Sequence, residues 1–214
     1  MFDTAAQLRP RIVDRAGVWD FLRLFAAAWG LSGTGRSFRG PMPAALREAY
    51  ALGTVLDRAG PQTEDGVLIF HWADSQITDT CWGVPLDHLD GDDPPVVVNT
   101  GGGWQPYVDR VSLACVDIAL TTVVQEHDEK LCNAAELPAA LVGPALAGFD
   151  RVPLPDLPMW IDVEESPVRW YSGPGQLLRT HGEGGVWLWV SAQSDTALSG
   201  LYAAMPGARD HWSN

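Results

Sequence analysis

Apolar side chains recur three or four apart between residues 16 and 29, at Val18, Phe21, Leu22, Phe25 and Trp29. That spacing predicts one face of a helix, and Gly30, Gly33 and Gly35 stop it. Residues 1–15 carry little pattern and are expected to form a loose arm. Pro41-Met42-Pro43 introduces a second helix, with Leu46, Ala49 and Tyr50 on one face. Pro43 suits the first helical position, where a missing N–H costs nothing. Three short apolar runs follow, 67–70, 80–84 and 96–98, rich in Val, Ile, Phe, Trp and Thr. Polar turn material separates them, so they read as consecutive strands of one sheet. The second and third are joined by an acidic loop, Asp87-His88-Leu89-Asp90-Gly91-Asp92-Asp93.

The pattern continues in the same style. Asn99-Thr100-Gly101-Gly102-Gly103 is a hairpin turn signature, because Asn and Gly tolerate positive φ. Residues 104–108 form the fourth strand of this reading. Ser112 is placed to cap a helix bearing Leu113, Val116, Leu120, Val123 and Val124. Residues 128–148 show a weaker helical pattern interrupted by Pro138 and Pro144, and a proline-rich connector follows at 152–158. Runs at 168–171, 176–179 and 186–190 then predict a three-stranded meander, split by Gly173-Pro174-Gly175 and residues 181–185. All five residues from Val186 to Val190 are apolar, so both faces of that strand are expected to be covered. Ser194 caps a last helix carrying Leu198, Leu201 and Tyr202. Runs of strands instead of alternating βα units give an α+β chain: a central, mainly antiparallel sheet flanked by helices, with a C-terminal meander and helix.

Composition narrows the class. The 214 residues are 46% hydrophobic and 19% charged, enough apolar side chain for a real core. Ten tryptophans supply much buried area per residue and offset the looseness of 22 glycines and 16 prolines. Net charge is −13, from 27 acidic and 14 basic residues. Such a surface repels phosphates and anionic lipid and favours basic partners, so neither nucleic acid nor a membrane is expected to bind. Three cysteines without a CxxC pair suit a reducing compartment. The first fifteen residues hold no continuous apolar stretch of the signal-peptide kind, so a cytoplasmic location is expected.

Candidate chemistry is sparse. The chain has no GxSxG, P-loop, HExxH or GxGxxG. The acidic loop fails the EF-hand spacing: its glycine falls between Asp90 and Asp92, and Pro94-Pro95 stand in the region of the closing Glu. No metal or cofactor is expected. His71 and Asp74 flank the end of the first strand and are available as an acid/base pair, against the plainer reading of strand-end polar residues. His127 sits among acidic residues at a helix end. Cys81, beside Trp82 in mid-strand, reads as a small buried hydrophobe and less readily as half of a Cys-His pair.

The order of these segments resembles the SUKH superfamily, the Smi/Knr-like proteins. The resemblance rests on Met42-Pro43-Ala44-Ala45-Leu46 through Tyr50, on Ile69-Phe70, Gln76 and Cys81-Trp82-Gly83-Val84, and on Asp92-Asp93-Pro94-Pro95-Val96, Trp104 and residues 112–120. It covers roughly residues 16–125. Met42-Pro43 replaces the usual Leu-Pro, and Ile77-Thr78-Asp79-Thr80-Cys81 replaces a turn more often rich in Gly or Asn. The resemblance implies a core domain over 16–148, a C-terminal extension over 149–214 packed on it, and no enzymatic activity. Many bacterial members resemble immunity proteins that neutralise polymorphic toxins; others look like regulators. The expectation is therefore a non-enzymatic binding module. Asp87, Asp90, Asp92 and Asp93 would meet basic residues of a toxin domain, with exposed aromatics beside them as anchors. The alternatives are an intracellular regulatory scaffold of the same fold and a small hydrolase using His71 and Asp74.

Overall fold

In the computed structural model, residues 1–56, 60–73, 79–126, 128–161, 166–183 and 185–212 are described. The fold is α+β, with two antiparallel five-stranded sheets and, among the described residues, six α-helices. The chain divides into two compact units. One comprises Val13–Ala119 with Trp160–Val163; the other comprises Met1–Ile12, Leu120–Met159 and Glu164–Asn214.

The first of these units opens on α2 (Arg15–Trp29), which follows the short α1 (Thr4–Leu8) of the other. Asp14 caps α2 by accepting the Gly17 N–H at 2.8 Å. Its apolar stripe is buried as the spacing predicts, and Phe21, Phe25 and Trp29 stack along it with centroids 5.6 and 5.9 Å apart. Next comes α3 (Ala44–Leu52), with Pro43 one position earlier than expected, at the cap. Its end is locked by close backbone approach. A Cβ on Gly33 would collide with the Gly53 carbonyl, and one on Gly35 with that of Ala51, so glycine is required where this loop crosses the helix terminus.

The first sheet is a simple meander in the order β1 (Gln62–Glu64), β2 (Val67–Trp72), β3 (Cys81–Pro85), β4 (Val96–Asn99) and β5 (Trp104–Val108). The strand β1 is additional to those the apolar runs predict, since all three of its residues are polar and exposed. Asp65 (φ 48°) and Gly66 (φ 77°) form a two-residue turn that pairs Glu64 with Val67. Positive φ at both central positions is what an Asp-Gly hairpin supplies. The Asn99 turn forms as expected: its side-chain oxygen accepts the N–H groups of Gly101 and Gly103. The helix α4 (Val111–Glu126) follows β5, but Ser112 lies within it and does not cap it. The cap is supplied from the acidic loop instead.

The other unit corrects three expectations. Residues 1–15 are no loose arm. Thr4, Ala5 and Leu8 of α1 are fully buried, and the Ala5 N–H donates to Ser172 Oγ at 2.8 Å while that hydroxyl donates to Asp3. The segment 128–148 is not helical throughout: β6 (Cys132–Pro138) precedes α5 (Ala139–Leu146), which retains Pro144 inside. The strand was hidden because Asn, Ala, Glu and Pro are weak strand formers, and its long partner imposes the conformation. That partner is β10 (Gly185–Ala192), paired with β6 from Gly185↔Pro138 to Ser191↔Cys132. Together with β7 (Asp150–Arg151), β8 (Arg169–Gly173) and β9 (Gln176–His181) they form a sheet ordered β6-β10-β9-β8-β7. The predicted meander is β8, β9 and β10, and α6 (Asp195–Ala204) follows it with Ser194 capping through the Ala197 N–H. So β6, from the segment 16–148, shares a sheet with strands from 149–214.

The third correction concerns β10. Leu188 and Val190 are buried in a core with Ala135, Leu137, Leu178, Leu201 and Met205. Trp187 and Trp189 point to the opposite face and are only half-buried. Trp189 donates its indole N–H to His181 Nε2 at 3.1 Å.

Candidate protein-interaction surface

The acidic loop leaves β3 at Pro85 and is pinned along its length. The Leu86 N–H donates to the Gly66 carbonyl at 2.9 Å. Residues Leu86–His88 make one 3₁₀ turn, and the Gly91 N–H closes the next by donating to His88. The Asp92 carbonyl accepts the Ala45 N–H, and the Pro94 carbonyl accepts the Val111 N–H, each at 2.9 Å. The loop is thereby tied to β2, α3 and α4, and its side chains are presented on a fixed frame.

The four aspartates have separate fates. Asp93 turns inward and caps α4: Oδ1 accepts the Ser112 N–H at 2.9 Å and Oδ2 accepts its hydroxyl at 2.6 Å. Asp92 is 86% exposed and lies 3.8 Å from an Arg15 guanidinium nitrogen, too long for a hydrogen bond. Asp87 and Asp90 are exposed and have no hydrogen bond or ion pair to the described residues. Among the described residues, the aromatic anchors expected beside them are not among the exposed large hydrophobics. The loop's own apolar contribution is Leu86, 42% exposed.

Beside Asp92 lies a groove of about 400 Å³ between the start of α2, the outer side of α3 and the loop. Its lining includes Asp14, Arg15, Trp19, Asp20, Arg23 and Glu48. Arg15 spans it, with Nε 3.0 Å from Glu48 Oε2 in an ion pair that lacks the alignment of a hydrogen bond. Sequence reasoning missed this feature because its residues are up to 78 positions apart, from Asp14 to Asp92, and each alone reads as a solvated helix residue.

The acid/base candidates are dispersed. In the β2–β3 ladder His71 pairs with Trp82 and Trp72 with Cys81, so His71 and Cys81 project from opposite faces of the sheet. The His71 ring lies 5.1 Å from that of Trp82. Burial, reinforced by the Glu64 carboxylate, pushes the Cys81 thiol up to about 11, so it carries almost no thiolate near neutral pH. Asp74, His127 and the resemblance residue Gln76 lie outside the described residues. Among the described residues no group of three or more His, Cys, Asp or Glu is arranged to hold a metal ion, and no helix is long and apolar enough to cross a membrane.

Compared with known proteins, the chain matches no family model, no curated protein and no solved structure.

Proposed function

We propose that this chain is a non-enzymatic protein-binding module of the SUKH type, acting in the cytoplasm as an immunity protein that neutralises a toxin by direct binding. The observation that carries the reading is the loop. Asp87, Asp90 and Asp92 stand exposed on a segment tied down by backbone hydrogen bonds, with Leu86 among them. A rigid, acidic, solvent-facing element loses little freedom on binding and steers a basic partner by its field. The net charge of −13 extends that field beyond the loop. Cys81, Cys115 and Cys132 are all free thiols, in keeping with a reducing compartment. Asp93 is removed from the contact set, since its carboxylate is occupied by Ser112.

The test is co-expression with the product of the neighbouring gene, followed by co-purification and measurement of association rate against salt. The expected result is a complex that protects the cell, with an association rate that falls steeply as salt rises. The triple variant Asp87→Ala, Asp90→Ala, Asp92→Ala should slow association while leaving the fold intact. Unchanged binding by that variant rules out the loop. Absence of protection by the unaltered chain rules out the immunity reading.

A further inference from the structure

The chain has two Asp-Gly steps, Asp65-Gly66 and Asp90-Gly91. Such a step carries a chemistry of its own. A backbone nitrogen can attack the carboxyl carbon of the preceding aspartate side chain, and glycine, with no Cβ, leaves the approach open. The structure treats the two steps differently.

At Asp90-Gly91 the nitrogen is engaged and its surroundings are close. The Gly91 N–H donates to the His88 carbonyl at 3.1 Å, and a Cβ on Gly91 would lie 3.2 Å from that oxygen and 3.4 Å from Pro94. The Asp92 and Pro94 carbonyls just beyond are tied to Ala45 and Val111. Attack there must break a hydrogen bond and move a pinned backbone.

At Asp65-Gly66 neither obstacle exists. Both residues are exposed, at the tip of the β1–β2 hairpin. Nothing lies within 4 Å of where a Gly66 Cβ would stand. Among the described residues, no hydrogen bond engages the Gly66 N–H or the Asp65 carboxylate. Asp65 is also the one described non-glycine residue at positive φ. The strand before it gives little support: β1 is three exposed residues held by β2 alone. An edge with so few buried contacts opens locally at small cost, which frees the turn to reach the reactive geometry.

We propose that Asp65-Gly66 is a site of spontaneous covalent modification, where the folded chain isomerises Asp65 to a β-linked isoaspartate. The Gly66 nitrogen bonds to Asp65 Cγ, and its hydrogen leaves with a carboxyl oxygen as water, closing a succinimide ring. Water then reopens the ring. Opening at Cγ restores aspartate. Opening at the main-chain carbonyl carbon leaves the chain running through Cγ, with one more backbone carbon and the same composition. No co-reactant besides water takes part. A two-residue turn sets the strand register and has no slack for that carbon, so the pairing of Glu64 with Val67 is lost. The Gly66 carbonyl also accepts the Leu86 N–H at 2.9 Å, so the change reaches the first residue of the acidic loop. None of this rests on the binding-module reading.

The test incubates the whole chain at pH 6 and 37 °C for several weeks, beside the same chain unfolded in guanidinium chloride. Proteolytic peptides are separated, and isoaspartate is located by electron-transfer fragmentation, in which the β-linkage gives its own ion series. In the folded chain isoaspartate should accumulate at Asp65 severalfold faster than at Asp90. In guanidinium the two rates should converge, because the structure no longer distinguishes the sites. Asp65→Glu cannot close the five-membered ring, so the product at that position should vanish while Asp90 behaves as before. Hydrogen exchange at the Leu86 amide should quicken in the aged parent and not in aged Asp65→Glu. Absence of isoaspartate at Asp65, or equal rates at the two sites in the folded chain, would overturn the proposal. Unchanged Leu86 exchange in a chain shown to be isomerised would overturn its reach into the acidic loop.

Discussion

The Asp93 carboxylate holds Ser112 with both oxygens, one on its N–H at 2.9 Å and one on its hydroxyl at 2.6 Å. Nineteen residues separate the two, so the first turn of α4 is capped from the far end of the acidic loop and not by its own leading residue. A charged acceptor at a helix N-terminus also lies in the favourable direction of the helix dipole.

Asp93→Ala should therefore destabilise the chain by about 1–2 kcal/mol, the usual cost of a lost cap, as read from the urea midpoint. Asp93→Asn should cost less, because its side-chain oxygen still accepts the backbone N–H. Asp87→Asn and Asp90→Asn, which make no internal bond, should stay within about 0.5 kcal/mol of the parent. Equal midpoints for Asp93→Ala and Asp87→Asn would show that the cap carries no weight.

His181 gives a pH prediction. It is almost fully buried, and burial, with the Arg179 guanidinium adding to it, pulls the imidazole down to about 4. The folded chain thus keeps His181 neutral where the unfolded chain binds a proton. A depressed histidine contributes stability that is present above the unfolded value, near 6.5, and is lost as pH falls towards 4. By pH 5 the loss from this one group is about 2 kcal/mol. His181→Phe, compared with the parent by urea titration at pH 7, 6 and 5, should show a flatter decline over that window. It should also begin lower at pH 7, since the Trp189 N–H loses its acceptor. Parallel declines for the two proteins would remove His181 as the source.

The thiols should react in order of access and ionisation. Cys132 is half-buried and donates to Ser191 Oγ at 3.4 Å. Its thiol is raised by burial, with the Ser191 bond opposing that shift. Cys81 is raised to about 11, and Cys115, fully enclosed, is raised further by burial and the nearby Asp93. Under native conditions at pH 8, iodoacetamide labelling followed by peptide mass spectrometry should find Cys132 first, Cys81 later and Cys115 last. Rapid modification of Cys81 would contradict its buried state and reopen a nucleophilic role.

Much of the first sheet and its helices was legible because local signals agreed with the final packing. The stripe on α2, the Asn99 turn and the three short apolar runs each specify their own element. Failures came where a distant partner decides the conformation. The strand β6 is held by β10 across some fifty residues, and α1 is held by Ser172 across 167. Neither has a strong intrinsic pattern, so tertiary pairing overrides propensity. One miss was avoidable, since Asp65-Gly66 between polar and apolar runs is a hairpin signal. The candidate surface divides the same way. The loop was visible as a run of acids, but which of them is internal was not, because Ser112 lies a whole β-hairpin away. The groove joins a helix start, a helix side and a loop, a combination that only the folded chain brings together.

The fixed frame of the acidic loop separates two jobs that loops often combine. The bonds that hold it come from backbone groups of Gly66, Ala45, Val111 and Gly91 and from the inward-facing Asp93. The side chains at Leu86, Asp87 and Asp90 take no part in holding it. Those positions can therefore change identity over evolutionary time while the scaffold stays as it is. A lineage of such chains is free to alter that exposed surface residue by residue, without first having to refold.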